Sequence, residues 1–458
     1  MEEMNIPRLV IGATGSGTGK TTITCGLLQV LVQRNLNPMS YKCGPDYIDP
    51  MFHSEIIGVN SRNLDLFFTE KDRVNCLLAK HMEGHSLAII EGVMGYYDGL
   101  AGTSYKASTY DLARQTKTPA ILTVDGRGKS LSLVAEIKGF LTLCTDSQIK
   151  GVLLNRVSSM MYPQLKKLIE EALPVKVYGY IPIMSDCQLE SRHLGLVTAK
   201  EIDNLQEIVT KMADQLEETV DIDGLITLAK TASPISCKPI ETLEKSKIPV
   251  RIGVALDNAF CFYYQDNLDM LTELGAEIIE FSPLKDKKLP EDIQGMIFGG
   301  GYPELYLKQL SENQSMKNDI KVAINQGMPC LAECGGFMYL HEGIKDREDN
   351  LYPMVGALEG TSFPTETLGR FGYITLEAKE DNILCKKGDS IKGHEFHYWD
   401  STHTGGSFRA CKPLRKKEWD CIVSRPNLVG GYPHMYFYSN PKVGKNFIRA
   451  CTGFKTML

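Results

Sequence analysis

Gly12-Ala13-Thr14-Gly15-Ser16-Gly17-Thr18-Gly19-Lys20-Thr21-Thr22 is the stretch that decides the fold. It follows the apolar run Leu9-Val10-Ile11 and precedes a helical pattern from Thr24 to Leu31. Strand, glycine-rich turn, lysine, threonine and helix is the order a phosphate cradle requires. Backbone N–H groups close around phosphate oxygens, and the helix N-terminus adds partial positive charge. Gly15, Gly17 and Gly19 give the loop its freedom, Lys20 is placed to reach the β- and γ-phosphates, and the Thr21 hydroxyl, followed by Thr22, is placed to hold Mg²⁺. The strict Gly-x-x-x-x-Gly-Lys pattern would put its first glycine where this chain has Thr14. The stretch reads as a nucleoside triphosphate site.

Working outward, Asn37 to Tyr41 leads into Lys42-Cys43-Gly44-Pro45-Asp46-Tyr47-Ile48-Asp49-Pro50, which predicts a strand and then a loop. Leu87-Ala88-Ile89-Ile90 reads as a buried strand ending in Glu91, with Asp98 a few residues on. Pro119 to Val124, Gly151 to Leu154 and Val175 to Ile181 are further strands, with helical patterns at Leu131 to Thr142 and Gln164 to Leu173. The alternation predicts an α/β, doubly wound parallel sheet. In such sheets the carboxyl ends of the strands share one crevice, so Asp46, Asp49, Glu91 and Asp98 are expected at the phosphate edge. Magnesium takes hard oxygen ligands, which makes Thr21, Asp46 and Glu91 its candidate holders. An Asp in a Gly/Pro loop also bonds its own backbone, the ordinary alternative for each of these aspartates.

With 458 residues the chain is too long for one ordinary core, and two domains are expected. A net charge of −6 gives no support to nucleic-acid binding, and the basic cluster Lys412 to Lys417 reads as a solvated loop. The 13 cysteines are scattered singly and no leader precedes the first strand, which suggests reduced thiols in a cytoplasm. No apolar stretch is long enough to span a bilayer. From Thr231 to Lys247 periodicity dissolves, so the expected division is residues 1–230, a linker 231–247, and residues 248–458.

The second half opens with strands at Arg251 to Ala255, Ala276 to Phe281 and Met296 to Phe298, and a helix is expected from Phe260 to Leu274. Its sharpest feature is Pro329-Cys330-Leu331-Ala332-Glu333-Cys334-Gly335-Gly336, a strand running into a nucleophile elbow. A helix N-terminus there favours thiolate over thiol. Cys25, Cys261 and Cys330 lack this glycine context and read as structural thiols. A thiol nucleophile needs a base, and His394, His397 and His434 are the late candidates. The His394-Glu395-Phe396-His397 spacing matches no helical two-histidine metal motif.

Gly300-Gly301-Tyr302-Pro303-Glu304, Ala332-Glu333-Cys334-Gly335-Gly336 and His434 resemble the class I glutamine amidotransferases, whose domain is flavodoxin-like. The resemblance implies Cys334 as nucleophile, His434 as base, and an oxyanion hole from Gly335 with Gly300 or Gly301. Most members carry a carboxylate two residues after the histidine; here Tyr436 stands there, which leaves a Cys–His dyad. The first half resembles the dethiobiotin synthetase-like ATP-dependent ligases. Lys42 to Pro50, Glu91 to Gly99, Ser191 to Leu196 and Gly393 to His397 together resemble the family of cobyrinate and cobyric acid amidotransferases, and His394 to His397 favours its a,c-diamide branch. That family resemblance implies ATP and Mg²⁺ as cofactors, and L-glutamine and a tetrapyrrole polycarboxylate as substrates. It implies no nucleic acid and no membrane, and allows a homodimer. By it Lys42 contacts phosphate or the substrate carboxylate, Asp49 and Asp98 position substrate or metal, Asn155 reads adenine, and Arg192 and His193 face the tetrapyrrole. Cobyrinate, its cobalt-free analogue and nickel sirohydrochlorin remain open as substrates, and so does a cobyric acid synthase activity. Outside ligases, the rival is a switch-type P-loop ATPase, which usually carries a lysine where this chain has Gly15.

Overall fold

The computed structural model describes residues 2–187, 199–237 and 245–456. The chain divides into two compact units, Met1–Ile240 and Glu241–Leu458. In the first, the strands in chain order are β1 (Glu2–Met4), β2 (Arg8–Ala13), β3 (Pro38–Cys43), β4 (Ser61–Leu64), β5 (Leu87–Glu91), β6 (Ala120–Asp125), β7 (Ile149–Asn155), β8 (Lys176–Ile181) and β9 (Ile235–Cys237). Seven of them form one sheet in the order β4-β3-β5-β2-β6-β7-β8, every pair parallel. β2, β3 and β5 are buried along their whole length, as the near-continuous apolar runs of a sheet covered on both faces demand. From β2 the chain crosses to β3 and β4, returns to β5, and passes to β6 on the other side. The order reverses at β2, and the loop after β2 is the glycine-rich one.

Several expectations are corrected here. The loop after β3 is shorter than Lys42 to Pro50, because Ile48–Glu55 is a helix and Pro50 falls in its first turn, where a missing N–H costs nothing. β4, Ser-Arg-Asn-Leu, is a polar edge strand with no apolar run to announce it. The stretch expected as a linker contains β9, which pairs antiparallel with β1. The thiols are not all reduced: Cys76 and Cys237 form a disulfide across a sequence separation of 161. Closing so long a loop constrains the unfolded chain by about 5 kcal/mol on the chain-entropy account. Reduction is therefore expected to lower the melting temperature of the first unit by several degrees, and a Cys76→Ser variant to melt alike with or without reductant. Equal melting of the oxidised and reduced wild type would overturn this.

In the second unit, β10 (Val250–Ala255), β11 (Ala276–Phe281), β12 (Gly295–Phe298) and β13 (Cys330–Glu333) join Leu428–Gly431 in the parallel order β11-β10-β12-β13-Leu428–Gly431, with Val423–Arg425 antiparallel at the edge. This is the flavodoxin-like order. The helix expected from Phe260 occupies only Gln265–Glu273. The residues before it are held in a bridge, in which the Phe262 N–H donates to the Gly300 carbonyl at 3.0 Å and receives its bond back at 3.2 Å. A five-stranded antiparallel sheet includes Arg370–Ala378, Ser390–His397 and His434–Met435, with His394 opposite His434.

Candidate functional site

At the β2 loop, Gly17 and Gly19 adopt φ of 76° and 89°, conformations that a side chain would strain. A Cβ on Gly19 would also stand 2.3 Å from Asn155 Nδ2. Thr14 needs no glycine, since its N–H continues the sheet by donating to the Thr123 carbonyl at 3.1 Å. The departure from the strict loop pattern therefore has a structural reason. Lys20 opens the helix Lys20–Gln33, and its Nζ lies 3.3 Å from the Met94 carbonyl. Burial, with Lys42 next, draws the Lys20 pKa down to about 8.

The ends of β3 and β5 carry a buried ionic cluster. Lys42 Nζ donates to Glu91 Oε1 at 2.8 Å and to Asp49 Oδ2. Thr21 Oγ1 donates to the same Glu91 oxygen at 2.6 Å. Burial opposes charge on Lys42, but Asp49 and then Glu91 more than offset it and hold its pKa above the ordinary value. For Asp49, burial raises the pKa, and Lys42 outweighs it and holds the carboxyl low. Asp46 is half-buried and its Oδ1 accepts from the Ile48 N–H at 2.8 Å, the turn chemistry weighed above. Burial, with Asp49 beside it, pushes Asp46 up to about 7.

Sequence reasoning missed His53. It is fully buried, one helical turn after Asp49, with Nδ1 2.9 Å from Ser40 Oγ and Nε2 3.5 Å from Glu91 Oε2. Burial depresses its pKa and keeps the ring neutral. The i, i+4 spacing of Asp49 and His53 was the available signal, hidden because Pro50 argued for a loop. Glu91 Oε2 has no hydrogen-bond partner among the described residues. A buried, unpaired carboxylate oxygen beside Thr21 Oγ1 is a donor set that suits a hard cation, so the residues present fit Mg²⁺.

Other expected residues stand elsewhere. Asp98 is exposed, and its carboxylate accepts from the Gly95 N–H at 3.0 Å, which closes its own turn rather than joining the cluster. Asn155 bonds the loop: Nδ2 donates to the Thr18 carbonyl at 2.7 Å, and Oδ1 accepts from the Arg156 N–H at 3.0 Å. Arg156 adds a bond to the Gly17 carbonyl at 2.9 Å and an ion pair to Asp125 at 2.7 Å. Arg192 and His193 lie outside the described residues.

In the second unit, Cys334 sits at φ 47° and ψ −105° between β13 and the helix Gly335–Leu340, the strained turn of an elbow. Its N–H donates to the Gly431 carbonyl at 2.8 Å. Glu333 pairs with Gly431 across the sheet, so Cys334 and His434 leave the same ends of neighbouring strands. A Cβ on Gly300 would meet the His434 ring at 2.3 Å, so that glycine makes room for the imidazole. Its own N–H donates to the Phe262 carbonyl at 3.2 Å. A Cβ on Gly335 would lie 3.1 Å from the Gly301 nitrogen, so the backbones of these two candidates converge.

The thiolate expectation is also corrected. Burial, then Glu304, pushes the Cys334 thiol well above its ordinary pKa, and the Gly335 N–H does not offset them. His434 is buried too, and burial, with His394 and His397, draws it down to about 3. The resting pair is a neutral thiol and a neutral imidazole, the latter able to accept a proton. Tyr436 points its hydroxyl at Asp266 Oδ2, 2.7 Å away. Glu333, which sequence reasoning passed over, lies with Oε2 3.7 Å from His434 Nδ1. His394 and His397 are related to opposite neighbours: His394 meets Phe371 and Tyr373 edge-on, whereas His397 stacks on Tyr432 at 4.0 Å.

Known proteins were compared with the whole chain. Residues 251–442 match the CobB/CobQ-like glutamine amidotransferase domain, and residues 9–197 match the CobQ/CobB/MinD/ParA nucleotide binding domain. A relative from Caldanaerobacter subterraneus subsp. tengcongensis, named cobyrinate a,c-diamide synthase, is 39% identical over 97% of this chain and 98% of its own. Relatives of the same name from Dehalococcoides mccartyi and Listeria innocua are 39% and 40% identical, over 99% and 95% of this chain and 100% and 97% of theirs. Among the described residues no helix is long and apolar enough to cross a membrane. An elbow cysteine, a facing histidine, a phosphate loop and this full-length likeness agree, and the chain belongs to the cobyrinate a,c-diamide synthase family.

Proposed function

We propose that the protein amidates the a and c acetate carboxylates of cobyrinate, using ATP and glutamine, in cobalamin biosynthesis. The observation that carries this reading is the near-complete, end-to-end likeness to relatives named for that reaction. The two units divide the work. A carboxylate does not condense with ammonia in water, because its leaving group is poor. ATP supplies the activation by phosphorylating the carboxylate to an acyl phosphate. The loop N–H groups and Lys20 hold the transferred phosphoryl group, and Thr21, Asp46 and Glu91 offer oxygens to Mg²⁺. Asp49 fixes Lys42, whose ammonium faces the same edge as Thr21 through Glu91 and neutralises charge there.

In the second unit, His434 takes the proton of Cys334 as sulfur attacks the glutamine amide carbon. The tetrahedral oxyanion is met by the Gly301 and Gly335 N–H groups. Ammonia leaves with a proton returned by His434, and water then hydrolyses the thioester. Incubating the full chain with cobyrinate, ATP, Mg²⁺ and glutamine is expected to give two successive amidations by mass spectrometry. Hydroxylamine in place of glutamine is expected to trap a hydroxamate. Amidation of nickel sirohydrochlorin or the cobalt-free analogue alone would overturn the substrate, and amidation without a trapped hydroxamate would overturn the acyl phosphate.

A further inference from the structure

The histidine that serves as base lacks the carboxylate two residues on, since Tyr436 is turned to Asp266. A neutral imidazole that accepts a proton in a buried site becomes a buried cation, and such a charge is costly unless an anion stands close. Burial already depresses His434 strongly, and His394 and His397 add to that cost. The site therefore needs a carboxylate beside the Nδ1 edge of the ring. Glu333 is buried at the last position of β13, directly before the nucleophile. Its Oε1 accepts from the Met435 N–H at 3.0 Å, which fixes the side chain against the residue after His434. That anchor leaves Oε2 facing Nδ1 at 3.7 Å, and catalytic hydrogen bonds that are long in a free site tighten in the complex.

We infer that Glu333 is the positioning residue of the glutaminase site, holding the His434 tautomer with Nδ1 protonated and stabilising the imidazolium formed when Cys334 is deprotonated. The inference rests on the Cys334–His434 reading above and completes a triad from an unexpected direction: the acid comes from the nucleophile's own strand rather than from the histidine's. Burial pushes the Glu333 carboxyl up to about 8, so the carboxylate that accepts from Nδ1 grows in population as pH rises through that value. As Cys334 gives up its proton to His434 Nε2, the Nδ1 proton stays on the ring and the Glu333 carboxylate stands beside the imidazolium that forms. Glu333 raises the Cys334 thiol as Glu304 and Glu395 do; what sets it apart is its Oε2, which faces His434 Nδ1.

Glu333→Gln tests this cleanly. The amide oxygen can still accept from the Met435 N–H, so the backbone anchor survives while the charge is lost. The expected result is a fall of about 10²- to 10³-fold in kcat for glutamine hydrolysis, with KM for glutamine within about twofold. Ammonia-supported amidation by the same preparation is expected to stay at the wild-type rate. The pH profile of Cys334 alkylation by iodoacetamide is expected to shift upward. Glu333→Asp, which keeps the charge but shortens the reach, is expected to fall between wild type and Glu333→Gln, and it carries the test should Glu333→Gln not fold. A Glu333→Gln enzyme with near-wild-type kcat and an unmoved alkylation profile would overturn the role, as would loss of ammonia-supported amidation in parallel. Glutamine hydrolysis that survives Cys334→Ser would instead overturn the underlying site, so the two failures are told apart.

Discussion

Cys334→Ser is expected to abolish glutamine hydrolysis and glutamine-dependent amidation, by a factor of about 10³ or more, while ammonia-dependent amidation at high pH persists. The reason lies in what the elbow is built to do. Burial keeps the Cys334 thiol protonated, so reactivity depends on transferring that proton to a neutral His434. A serine hydroxyl is far more reluctant to give up its proton, and the same imidazole is too weak a base to take it. The substitution is nearly isosteric and disturbs neither the positive φ nor the bond from the Cys334 N–H to Gly431, so the fold stands. High pH matters because ammonia is mostly ammonium at neutrality and then carries no lone pair. Ammonia release and amide formation measured in parallel decide the matter: equal loss of both would make Cys334 a structural residue.

Lys42→Met is expected to destabilise the first unit by about 3–5 kcal/mol, the cost of leaving buried carboxylates without their cation. Lys42 bridges Asp49 and Glu91, and all three side chains are almost wholly buried. Removing it leaves two negative charges facing each other with only a neutral His53 and the Thr21 hydroxyl between them. Glu91→Gln is expected to cost less, since Asp49 still pairs with Lys42. The pH dependence follows from Asp49, whose folded pKa is below its ordinary 3.8. Its stabilisation is complete above that ordinary value and is lost as pH falls through the lower folded value, so the penalty of Lys42→Met shrinks in acid. Urea unfolding monitored by hydrogen exchange in β3 and β5 reads the effect directly. A Lys42→Met protein as stable as wild type at pH 7 would show that the cluster is solvated.

The fold was legible because its strands are buried on both faces and so read as apolar runs; β5 and β12 sit within a residue of their expected places, and β2 runs two residues past its apolar run. β4 and β9 escaped because a polar edge strand carries no such run, and their pairing is set by distant partners. The antiparallel sheet of the second unit went unread for a similar reason, its pattern broken by half-buried polar positions. Site residues were legible where local backbone chemistry announces them, as at Gly17 to Thr21 and at Cys334. Candidates were illegible where a side chain's surroundings come from a contact across the fold. Nothing beside His53 or Glu333 in sequence says that each faces a partner on another element, and nothing beside Gly300 says that its N–H is already taken.

The bonds from Asn155 and Arg156 to the carbonyls of Thr18 and Gly17 reach beyond adenine recognition. They strap the phosphate loop to a strand two places away in the sheet. Ordering a free backbone costs about 1–2 kcal/mol per residue, and here that cost is met during folding rather than at the moment of binding. The loop is thus held from outside its own sequence, and loosening the strap at Asn155 is expected to loosen the whole cradle at once without touching one of its glycines.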